Sequence, residues 1–142
     1  MLARTFMTAQ DLKITEDERS ALIKILGMLE RGEFHKNDFS THEYGFNMNL
    51  CVYPLGRNQS WGLGGQKCGT VACIGGWVAM MMGKESTRDI IEYVHGRNPL
   101  RRLYWPNINM GDYTNITTAQ AAHAVSNFLT TGNPDWHLAV SC

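Results

Sequence analysis

The residues of this chain with the most reactive chemistry are four thiols and five imidazoles: Cys51, Cys68, Cys73 and Cys142, with His35, His42, His95, His123 and His137. The densest setting is the stretch KCGTVACIGGWVAM, residues 67–80. A cysteine just ahead of a helix has its thiol pKa lowered by the partial positive charge at the helix start. Cys68 would hold that position if Thr70 caps a helix. With His123 as base and Asn127 or Asp135 to orient it, the sharpest catalytic reading is a cysteine-dependent hydrolase. Two features oppose it. His123 lies ~200° around its helix from the core residue Val125, so it points away from the apolar stripe, whereas papain-like enzymes carry this histidine on a strand. Their Gly-Ser-Cys-Trp motif is missing as well. The expectation is therefore no catalytic residue, with Cys68 and His123 the pair the alternative would use.

Metal and redox chemistry find less support. Cys68 and Cys73 are five residues apart and are joined by neither a C-x₂-C nor an H-x₃-H pair. The histidines are scattered singly, so no metal and no cofactor are expected. A Cys68–Cys73 disulfide is left open: it requires Cys68 to lie outside a helix, because five helical residues rise ~7.5 Å. A thioredoxin-type site would need C-x-x-C beside a β-α-β unit, and the chain has neither.

The elements that must position these residues are unusually well punctuated. Thr15 and Glu18 form a capping box, and Leu22, Ile25, Leu26 and Leu29 follow as one apolar stripe until Gly32. This spacing predicts a helix over 16–31. Thr117 and Gln120 repeat the box ahead of Ala121, Val125, Phe128 and Leu129, and Gly132 then Pro134 end that helix. A weaker helix over 87–95 begins at Ser86, and Asn98 would cap a turn of helix from Pro99 to Tyr104. Val71 to Met82 holds no charge, which predicts a central helix capped by Thr70 and covered on every side. Its small residues Ala72, Gly75, Gly76 and Ala79 would admit a close neighbour. The expected neighbour of Gly76 is the alanine-rich segment 119–128, through Ala121 and Ala124.

Between these helices Phe46, Met48, Leu50 and Val52 alternate like a half-buried strand. A partner within 59–63, after a turn at 54–58, would complete a small β-hairpin. A glycine-rich loop follows it, with Gly62, Gly64, Gly65 and Gly69.

Composition bounds the rest. The 142 residues are 44% hydrophobic and 18% charged, which suits one globular domain over 1–142. Thirteen basic residues offset thirteen acidic ones, so no net field draws the chain to nucleic acid or anionic lipid. The basic cluster Arg97, Arg101 and Arg102 reads as a solvated helix end. The N-terminal residues lack the apolar run of a signal peptide, and the uncharged stretch 68–83 is too short for a membrane span. A cytoplasmic protein with reduced cysteines is expected.

The order and spacing of several of these residues form a pattern. Cys68, Gly69, Thr70, Cys73, Ile74 and Gly76 are followed by Trp77, then by Thr117, Gln120, Ala121, Ala122, Thr131, Gly132 and Trp136. The pattern resembles a family of small uncharacterised proteins encoded in bacterial and phage genomes, and it covers about a third of the chain. Gly75 stands where that family would have alanine, and 107–115 lengthens a linker. The resemblance implies a bacterial or phage origin and carries no assigned activity. Taken together, the expected fold is mainly α, a single-domain bundle of about four helices with a small β-hairpin. The expected role is a non-enzymatic accessory protein that contacts a protein partner or a second copy of itself. A buried core would account for most of the late aromatics Tyr104, Trp105, Tyr113 and Trp136, and any of them that are exposed would mark the contact surface.

Overall fold

The computed structural model describes residues 5–36, 45–48, 71–84, 86–96, 99–106 and 113–141. Among them the chain is mainly helical, as the capping and periodicity predict. Four helices have eight residues or more: α2 (Glu16–Glu30), α3 (Ile74–Met81), α4 (Thr87–His95) and α6 (Thr118–Thr131). Three short ones, α1 (Ala9–Leu12), α5 (Arg101–Tyr104) and α7 (Trp136–Ala139), fill the corners between them.

Both capping boxes form. Thr15 Oγ1 accepts from the Glu18 amide at 3.1 Å while Glu18 Oε1 accepts from the Thr15 amide at 2.9 Å. Thr117 and Gln120 repeat the exchange at 3.0 and 2.9 Å. Each box satisfies two backbone donors that a helix start otherwise leaves open. Gly32 and Gly132 take φ of +74° and +84°, the left-handed geometry that ends each helix and that side chains with a Cβ resist. Ser86 caps α4 by accepting from the Asp89 amide at 3.0 Å.

The central helix is sequestered as expected, but its start lies elsewhere. Ile74 to Met80 are buried, and Met81 and Met82 are half-buried. The N-cap is Cys73 and not Thr70: the Cys73 sulfur accepts from the Gly76 amide at 3.4 Å. Val71–Ala72 are extended and form β3, because their backbone is claimed by a neighbouring segment. The short strands β1 (His35–Lys36), β2 (Gly45–Phe46) and β3 pair in parallel in that order, and the ladder is extended by Asn47 N–H to Ala72 O at 3.1 Å. Phe46 therefore has a parallel neighbour on each side, and an antiparallel hairpin partner has no free edge there. Phe46 and Met48 are buried as the alternation requires, yet the strand ends at Phe46 and Met48 sits in a turn. The remainder of the expected hairpin, 49–63, lies outside the described residues.

Trp77 joins the sheet to the helices. Its indole N–H donates to the Gly45 carbonyl at 2.8 Å, and Phe34 meets its ring edge-on at a centroid distance of 5.4 Å. Helix α3 packs chiefly against α4 and α2, and α6 packs chiefly against α2. Helix α6, the neighbour expected at Gly76, is thus not a main partner of α3 among the described residues, and a close approach to α3 is seen at Gly75. A Cβ there would meet the Tyr104 ring at 3.0 Å and Val94 Cγ2 at 3.2 Å, so α4 and α5 crowd α3 at this residue. The helical turn expected from Pro99 starts later, at Arg101. Leu100 takes the N-cap position without a side-chain hydrogen bond, and Asn98, the expected cap, lies outside the described residues.

Candidate functional site

Two polar clusters emerge from this packing, one closed and one open. The closed cluster begins with Glu18, a residue only 7% exposed. One oxygen is used by the capping box. The other accepts from the Tyr93 hydroxyl at 2.6 Å, and Tyr93 lies 2.7 Å from the Tyr104 hydroxyl. Since the single Tyr93 proton points to Glu18, Tyr104 must donate to Tyr93. The chain of bonds ties α2, α4 and α5 together across the face of α3 that carries Gly75. Burial, followed by the bond to Glu18, pushes the Tyr93 phenol far above its ordinary range. Burial and then the Tyr93 neighbour do the same to Tyr104. Neither phenol is poised to act as a base, and the cluster lines none of the described clefts. It holds the helices in place.

The open cluster is on the outer side of α5. Arg101 and Arg102 are exposed, and Trp105 and Tyr113 are half-buried. The guanidiniums precede Trp105 by four and three residues, the two helical spacings that place side chains on one face. The four residues border a cleft of about 430 Å³. Arg102 and Trp105 also border a second cleft, of about 390 Å³, whose far wall includes Asn133, Asp135, Trp136 and His137. Trp105 is held rigidly between them. Its indole N–H donates to the Val94 carbonyl at 3.1 Å, and the His95 ring lies against it at a centroid distance of 5.0 Å. Among the described residues no carboxylate pairs with Arg101 or Arg102.

The residues singled out in the sequence divide cleanly. Cys68, Gly69 and Thr70 lie outside the described residues, and so do Cys51, Cys142 and Arg97. The thiol at a helix start is that of Cys73, which is 3% exposed and serves as a cap. His123 is exposed on the polar face of α6, beside Glu30 and Ser126 in a groove against α2. Its proposed orienters are engaged elsewhere. The Asn127 amide donates to the Pro134 carbonyl at 3.1 Å, and Asp135 borders the α5 cleft and not the His123 groove. Among the described residues no three metal-type side chains converge.

The remaining pattern residues have structural work. Gln120 caps α6 and also donates to the Val140 carbonyl at 3.2 Å, and the Trp136 indole donates to the Leu103 carbonyl at 3.1 Å. Both contacts bind α7 to the body. Of the late aromatics, Tyr104 and Trp136, 1% and 3% exposed, belong to the core, whereas Trp105 and Tyr113 are half-buried. Sequence reasoning did not find the partnership of Glu18 with Tyr93 and Tyr104. Their separations of 75 and 11 residues carry no periodic signal. Compared with family models, with curated proteins and with solved structures, the chain finds no match in any of the three.

Proposed function

We propose that this protein is a non-enzymatic accessory protein of bacterial or phage origin that acts in the cytoplasm through contact with a protein partner. The observation that carries the reading is the half-buried, doubly anchored Trp105 between two clefts, flanked by exposed guanidiniums. Tryptophan, tyrosine and arginine are the residue types that concentrate binding energy at protein interfaces. A side chain already fixed before contact loses little entropy on binding, which favours it further as an anchor. No helix among the described residues is long and apolar enough to cross a membrane.

Affinity purification from the source cells tests this reading. The wild-type chain is expected to bring down one protein in stoichiometric amount, and Trp105→Ala and Tyr113→Ser to lose it while circular dichroism stays native. Absence of any stoichiometric partner, or full retention by both folded variants, would count against the proposal. The hydrolase alternative makes a separate demand. Fast alkylation of Cys68 alone at low pH would favour it, because only a thiol of depressed pKa is a thiolate there.

A further inference from the structure

We propose that the cleft of Arg101, Arg102, Trp105 and Tyr113 binds an acidic peptide segment, taking a side-chain carboxylate on the guanidiniums and an adjacent apolar side chain on the indole. The inference rests on the interaction reading above and names the chemistry of the partner. Three observations carry it. First, both cations face solvent without a carboxylate partner among the described residues. Arg88, an exposed arginine elsewhere, is by contrast paired with Glu92 at 3.0 Å. Second, guanidinium matches a carboxylate through two parallel hydrogen bonds, which gives directional recognition that lysine lacks. Third, the apolar floor is rigid, since the indole edge and one ring contact are both engaged within the fold.

The same features disfavour nucleic acid. A polyanion gains affinity from many phosphate contacts, of the order of 6–10, and among the described residues this cleft offers two cations. Asp135 borders the adjoining cleft and would repel a backbone that ran on through it. The whole chain has no net charge to add long-range attraction. A short segment with one or two carboxylates beside an apolar residue fits the charge and the space.

The test uses the full chain labelled with ¹⁵N and a short peptide, acetylated and amidated, with glutamate on both sides of one phenylalanine. Binding is followed by the Trp105 indole N–H and Tyr113 amide resonances. Saturable shifts at these two positions are expected, weakening as salt rises because the pairs sit at an exposed rim. The glutamine version of the peptide should bind about tenfold more weakly or worse. Arg101→Gln with Arg102→Gln should lower affinity by a similar factor with an unchanged melting temperature, while Arg88→Gln should leave it alone. The proposal is overturned by equal binding of the glutamine peptide, or by an unaffected double variant. It is equally overturned by no shift at Trp105 up to about 5 mM peptide, or by tighter binding of a short single-stranded oligonucleotide at the same resonances. If the peptide fails while a partner still depends on Trp105, the interaction reading stands and only its acidic-segment form falls.

Discussion

Tyr104 and Trp105 are neighbours in the chain and opposites in the fold. Tyr104 ends α5 on its inner side, 1% exposed, with its ring against Gly75 and its hydroxyl in the bond chain to Glu18. Trp105 follows on the outer side, half-buried, between two clefts and beside Arg101 and Arg102. About 100° of rotation per residue separates the two directions. One short helix thus closes the core with one aromatic and presents the next. The comparison teaches that aromatic type alone does not assign a residue to core or surface. Both polar tips have internal partners, the Tyr104 hydroxyl at Tyr93 and the Trp105 indole at the Val94 carbonyl, so what separates the two is the side of α5 that each ring faces.

The widest contrast should come from truncating each aromatic. Tyr104→Ala empties a fully buried site and removes a hydrogen bond, and a loss of about 3–5 kcal/mol is expected. Trp105→Ala should cost about 1–2 kcal/mol, since part of that residue already meets water. Chemical denaturation of both variants measures the gap. Equal losses would mean that Trp105 belongs to the core and would remove the basis for an interaction surface. Next in size is Gly75→Ala. The added methyl group meets a ring that cannot retreat, because its hydroxyl is tethered and its far side is buried. A loss of about 1–3 kcal/mol is expected in place of the usual helical gain for this change. A melting temperature at or above the wild type would show that Tyr104 is looser than its hydrogen bonds imply.

Tyr93→Phe sharpens the inner half of the comparison. It leaves a Glu18 oxygen and the Tyr104 hydroxyl without their partner, at a cost of about 1–3 kcal/mol. The loss should also depend on pH with a definite sign. The folded state holds the Tyr93 and Tyr104 protons more tightly than the unfolded chain does, so both folded pKa values lie above the unfolded ones. The stabilisation is complete below about pH 10 and declines as pH rises beyond it, where the unfolded chain ionises first. The difference in melting temperature between wild type and Tyr93→Phe should therefore narrow above that pH and stay flat from neutrality up to it. The smallest effect belongs to the outer half. Arg101→Gln with Arg102→Gln should change stability by no more than about 0.5 kcal/mol, because neither side chain has a partner among the described residues to lose.

Local grammar was the legible part of this molecule. The capping boxes at Thr15 and Thr117, the stops at Gly32 and Gly132 and the stripes of α2 and α6 all appear where spacing put them. Each depends on residues within one or two helical turns, and such contacts are written into adjacent sequence. The start of α3 was misplaced for the complementary reason. Thr70 and Cys73 are both able to cap, and the choice went to Cys73 once Gly45–Phe46 drew Val71–Ala72 into a parallel ladder. No local signal announces a strand of two residues whose partners lie 26 positions away. The site was legible only in outline: the late aromatics and the basic cluster were visible, but not which members would be covered.

By itself, then, the sequence determined the helical class, most helix ends and the uncharged character of the central helix, since all three follow from short-range spacing and composition. Tertiary structure alone decided that Gly75 meets Tyr104 and Val94, that Glu18 serves α4 and α5 as well as its own cap, and that Trp105 faces outward. These outcomes depend on which helices cross and at what distance. That is set by side-chain volumes and hydrogen bonds between residues far apart in the chain, where the 3.6-residue period carries no information.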